Sequence, residues 1–136
     1  MYKRQGYGGT ESTYIDLISF TAAPRGDSIL LTWETAAEID NAGFVIYRAI
    51  TGTTNYAQIS GLIPAEGSST TGASYSFLDH TAKPGKSYDY WLLDIDTTGN
   101  WTPHGPIQGR LPLPSIEPVR EQDVIAPSAK RAASAN

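Results

Sequence analysis

Apolar and polar residues alternate along this chain in short runs separated by turn-forming letters, most clearly over residues 29–48. Ile29, Leu31 and Trp33 share one parity while Leu30, Thr32 and Glu34 share the other, the period of two expected of a strand with one face on a core. Trp33 is the predicted core anchor. After a short polar segment, Phe44 and Ile46 alternate with Val45 and Tyr47 in a strand over 43–50. The same reading predicts strands over 14–22, 28–34, 56–60, 73–78, 86–95 and 101–109. Turn chemistry separates them at 24–28, 51–55, 67–72 and 96–100, and Gly99 can supply the positive φ that a tight hairpin needs. No amphipathic helix emerges, so seven short strands predict an all-β, antiparallel seven-stranded sandwich.

Composition narrows the picture further. The 136 residues suit one domain, and 40% apolar content with three Trp and eight Tyr is enough for a packed core. A net charge of −4 without a basic cluster gives no nucleic-acid footprint. The chain has no Cys, which removes disulfides, thiolate metal sites and thiol nucleophiles. No window is apolar over the roughly eighteen residues of a membrane span, so no membrane insertion is expected.

Three segments are expected. Residues 1–13 read as a linker, and Met1-Tyr2-Lys3-Arg4-Gln5 matches the translation of a transposase-end sequencing adaptor, which would make the chain the tail of a longer metagenomic reading frame. The domain itself is expected over 14–111. Residues 112–136 are Pro-, Ala- and Ser-rich, with Pro112, Pro114, Pro118 and Pro127 interrupting any regular element, so a disordered C-terminal tail is expected there.

The pattern Leu31-x-Trp33-x-Thr35-Ala36-x-Glu38-x-x-Asn41-x-Gly43-Phe44, followed by Arg48, resembles a fibronectin type III-like module of bacterial exported and cell-surface proteins. Pro84-Gly85-x-x-Tyr88-x-Tyr90 is similar to the approach to that fold's sixth strand, where a tyrosine hydroxyl bonds back to the preceding corner; Tyr88 is the candidate. Asp94-x-Asp96-x-x-Gly99 and His104-Gly105-Pro106 resemble its last hairpin. The resemblance implies a secreted or cell-surface location, a spacer or adhesion role within a larger protein, and no catalytic residues or cofactor. Its implied partners are neighbouring domains of the same parent chain or another surface protein.

The polar letters of the signature read as structural. Thr35 is predicted to cap a short helical turn starting at Ala36, with Glu38 completing a capping-box pattern, while Asn41 and Gly43 suit the exit into the next strand. Arg25-Gly26-Asp27-Ser28 spells an integrin-binding tetrapeptide of some animal fibronectin domains, yet it falls between the first two strands and is ordinary turn chemistry. Asp94-x-Asp96-x-Thr98-Gly99 is an incomplete calcium loop, since its twelfth position is Gly105 rather than Glu. His80 and His104 lack a third placed ligand, so no metal site is expected. What remains is the parity opposite the core. If Phe44, Ile46, Tyr88, Tyr90 and Leu92 point inward, Val45, Tyr47, Trp91 and Leu93 form an outward apolar patch, expected to contact a neighbouring domain. Exposed rings of Tyr47, Trp91 and Trp101 in one plane would instead suit a glycan.

Overall fold

The computed structural model describes residues 14–114, which place eight strands and no helix. They are β1 (Tyr14–Arg25), β2 (Ser28–Ile39), β3 (Asn41–Ile50), β4 (Ala57–Gln58), β5 (Ile63–Pro64), β6 (Ser74–Asp79), β7 (Ser87–Asp96) and β8 (Trp101–Arg110). A three-stranded sheet in the order β1-β2-β6 faces a second sheet in the order β4-β3-β7-β8, with β5 also pairing with β3, and every pairing is antiparallel. The strand not expected from the sequence, β5, has only two residues and contains a proline, so no alternation announces it. The adaptor-like residues and the Pro-rich segment beyond Pro114 lie outside the described residues.

The core sits between the sheets, where the two parities meet. Ile29, Leu31 and Trp33 from β2 pack against Phe44 and Ile46 from β3 and Tyr88, Tyr90 and Leu92 from β7. Trp33 is its aromatic centre: it stacks on Tyr75 at 5.3 Å between centroids and meets Phe44 and Phe20 edge-on at 5.6 and 6.4 Å. These are the offset and T-shaped arrangements that the ring quadrupoles favour. Leu111 is buried in the same core, so it extends one residue beyond β8. At the β6–β7 corner the backbone N–H of Lys83 donates to the Tyr88 hydroxyl at 2.8 Å, which forms the tyrosine corner.

The predicted helical turn after Thr35 does not exist. β2 instead continues to Ile39 because β1 runs alongside it, pairing Asp16 with Ala37 and Tyr14 with Ile39. Two register shifts near Leu17 place Ala36 and Ile18 as extra residues on their strands. The bulge rotates the strand, so Thr35 and Glu38 face one another although they are three residues apart. The turn into β3 then consists of Asp40 alone, at φ 54°, with its carbonyl accepting from Thr97 N–H at 3.1 Å. A left-handed non-glycine residue is strained. Asp40→Gly should therefore raise the unfolding free energy by up to about 1 kcal/mol in a urea titration, whereas an unchanged or lower midpoint would mean that Asp40 makes compensating contacts.

Gly43 serves a different purpose from the turn residue predicted for it. A Cβ there would lie 2.3 Å from the carbonyl oxygen of Ile63, so its missing side chain is what lets β5 pair against β3.

Candidate functional site

The second sheet carries apolar residues on both faces. On the face turned from the core, Val45, Leu93 and Trp101 form a separate cluster against which Tyr47, Trp91 and Ile95 pack. The register explains the grouping, since Val45 lies directly opposite Leu93, Tyr47 opposite Trp91, and Ile95 opposite Trp101. The four predicted patch residues are thus brought together. Their exposure is uneven: Val45 is 8% exposed and Leu93 0%, while Tyr47 and Trp91 are half-buried and form the accessible part of the face. Trp101 is only 7% exposed, so the three rings do not form one open plane. The outer face of the other sheet is polar by comparison, with Thr21 and Thr32 sharing a 2.8 Å hydrogen bond and Ser76 opposite Thr32.

Glu38 is the hub of the corner between β2, β3 and the loop before β6. Its carboxylate accepts from the Thr35 hydroxyl at 2.6 Å, the Tyr75 hydroxyl at 2.7 Å, the Asn41 amide at 3.1 Å and Gly67 N–H at 3.4 Å. Burial pushes its carboxyl upward, but these hydrogen bonds together outweigh burial and hold it below its ordinary value. Burial and the Glu38 acceptor both push the Tyr75 phenol up. A Cβ on Gly67 would meet the Glu38 carboxyl carbon at 2.7 Å, so only glycine lets the loop close on it. An ionised, buried carboxylate spent on four donors is an anchor rather than a proton donor.

Asp79 fills the same role at the other end of the sandwich. It accepts from Arg48 Nη1 at 2.8 and 3.1 Å, the Tyr90 hydroxyl at 2.7 Å, and the backbone and hydroxyl of Thr81 at 3.1 and 2.9 Å. Burial again opposes ionisation and is outweighed, first by the Tyr90 hydroxyl and then by Arg48 and Thr81. The Arg48 guanidinium also covers the Tyr88 ring at 4.5 Å, within cation–π range. Nothing in the sequence around Asp79 marks it as the centre of such a network. The signal lies in Arg48, a conspicuous cation in an otherwise apolar strand, which requires a carboxylate partner when half-buried.

The two aspartates of the last hairpin have separate tasks. Asp96 Oδ1 accepts from Thr98 N–H, the Thr98 hydroxyl and Asn100 N–H at 2.8–2.9 Å and so shapes the turn, where Gly99 adopts φ 96°. Asp94 Oδ2 lies 2.6 Å from His104 Nε2, joining β7 to β8. Among the described residues, Trp33 Nε1, Asn41 Oδ1 and Asp94 Oδ1 are buried without a hydrogen-bond partner, and no group of three His, Cys, Asp or Glu is arranged for a metal ion.

The strand order and the tyrosine corner are those of a fibronectin type III/immunoglobulin-like sandwich. No protein-family model matches the sequence, and no curated protein matches it. A crystal structure of a Fn3-like protein from Clostridium thermocellum is similar at 18% identity and a TM-score of 0.49, over 79% of this chain and 99% of that one.

The lowered carboxylates make a pH prediction. Glu38, Asp79 and Asp96 each have a folded value below the ordinary 4.5 or 3.8. Their contribution is fully present above those ordinary values and is lost as pH falls through the folded ones. Urea midpoints should hold from pH 7 to about 5 and decline steadily below about 4.5. A midpoint that rises on acidification would contradict the assigned ionisation.

Proposed function

We propose that this sandwich is a non-catalytic spacer or adhesion module of a larger exported or cell-surface protein, and that a neighbouring domain of the same parent chain seats on its outer apolar face. One observation carries the reading: Tyr47 and Trp91 present half-buried rings on the sheet face that the core does not use, packed against the buried cluster that holds Val45 and Leu93. Apolar area grouped on an outer face tends to mark a contact surface, and aromatic residues with a half-buried rim are what interfaces enrich. The polar groups favour the same reading, because Glu38, Asp79 and Asp96 are each saturated by internal donors. The secreted or surface setting follows from the resemblance of the 31–48 signature. A glycan reading is less well supported, because a ring platform for sugar needs exposed faces and Trp101 offers none.

The test uses the adjoining domain from the parent reading frame, produced separately. The unaltered chain should bind it, and the Tyr47→Thr/Trp91→Ser double variant should bind at least about tenfold more weakly while still unfolding cooperatively. Equal binding by both proteins would remove the face from the interface.

A further inference from the structure

The two ends of the sandwich differ in charge. Strand direction fixes which residues lie where: Tyr14, Ile39, Asn41 and Asp96 meet at one end, and Arg25, Ile50, Tyr88 and Arg110 at the other. Every arginine and lysine of the described residues lies in the second half, namely Arg25, Arg48, Lys83, Lys86 and Arg110. Among the described residues the first half has none. It carries the exposed carboxylates Asp16, Glu34, Asp40 and Glu66 above the buried Glu38, Asp94 and Asp96.

At the basic end, the end of β3, the start of β4 and the β6–β7 corner enclose a cleft of about 390 Å³. Ala49, Ile50 and Tyr88 supply apolar lining, and Lys83 and Lys86 stand at it. Asp79 is already committed to Arg48, and neither lysine forms an ion pair among the described residues. Asp27 and Asp89 are the other carboxylates at this end, and neither pairs with the two lysines. The cleft therefore presents two unpaired lysines over an apolar lining, which suits an acidic corner with an apolar flank.

The opposite end of the same molecule is such a corner. Asp40 occupies its apex in a left-handed conformation that glycine would adopt without strain, and its carboxylate is exposed there. Glu66 lies close by, because Ala65 N–H bonds the Ala42 carbonyl and Gly67 N–H bonds Glu38. Ile39 and Leu62 are exposed beside them, as Ile50 is at the cleft.

We propose that the cleft at Lys83 and Lys86 receives the Asp40/Glu66 corner of a second copy of this chain. The contact is head to tail, so it joins two different surfaces and propagates into short open chains rather than closing as a two-fold dimer. Exposed ion pairs contribute little individually, so the association is weak, and charge complementarity sets its direction and salt dependence. It uses neither Tyr47 nor Trp91 and stands independently of the outer-face reading.

Sedimentation velocity on the full chain tests it. At about 20 mM salt the sedimentation coefficient should rise with protein concentration, and at about 500 mM salt it should return to the monomer value. Lys83→Glu/Lys86→Glu and Asp40→Lys/Glu66→Lys should each weaken self-association at least about tenfold. An equimolar mixture of the two should associate again, because the intact acidic corner of one meets the intact cleft of the other. Should a reversal unfold the protein, Lys83→Gln/Lys86→Gln is the milder substitute, with weaker association expected. A protein that is monomeric at every concentration in low salt overturns the proposal. So does association that survives both reversals, or association that persists at high salt.

Discussion

Replacing Trp33 with alanine should lower the unfolding free energy by about 3–5 kcal/mol, the largest effect expected of any single side chain here. The indole is fully enclosed, and three aromatic neighbours, Phe20, Phe44 and Tyr75, lose their contact surface with it. These rings come from different strands on both sheets, so the cavity cannot close without moving one sheet on the other. Trp91→Ser makes the comparison informative. That ring is half-buried on the outer face, against the Val45, Leu93 and Trp101 cluster, and its loss should cost only about 1–2 kcal/mol. Urea unfolding followed by circular dichroism reads both variants, and equal losses would mean that the two clusters are not the separate core and surface described above.

Asp79→Ala should come next, at about 3–5 kcal/mol, because one carboxylate satisfies groups from three parts of the chain. Its removal leaves the Arg48 guanidinium without its counter-charge and the buried Tyr90 hydroxyl without its acceptor. The double variant Asp79→Ala/Tyr90→Phe separates these contributions. Phenylalanine needs no acceptor, so the pair should cost less than the sum of the single changes. Strict additivity would show that Tyr90 has another partner and that the network is not organised around Asp79.

Much of the scaffold was legible in the sequence because strand parity is a local property. Ile29, Leu31 and Trp33, and again Phe44 and Ile46, announce their face within a few residues, and Gly99 announces the last turn. The extent of β2 was not legible. Thr35-Ala36-Ala37-Glu38 reads locally as a helix start, and only pairing with β1, which begins more than twenty residues earlier, holds it extended. The same limit hid the partners of Glu38 and Asp79: Tyr75 is 37 residues from Glu38, and Asp79 is 31 from Arg48. The patch on the outer face followed from parity, but the burial of Val45, Leu93 and Trp101 depends on how strands β3, β7 and β8 align. Charge segregation was hidden for a similar reason, since acidic and basic residues are interspersed in sequence and separate only when alternate strands reverse direction.

The outer face is the centre of the functional reading, and hydroxyl-radical footprinting of Tyr47 and Trp91 tests it most directly. Both rings should be oxidised readily in this chain alone and be protected at least about fivefold within the parent protein, while the buried Trp33 stays unreactive in both. Equal oxidation of Tyr47 and Trp91 in the two settings would contradict the account.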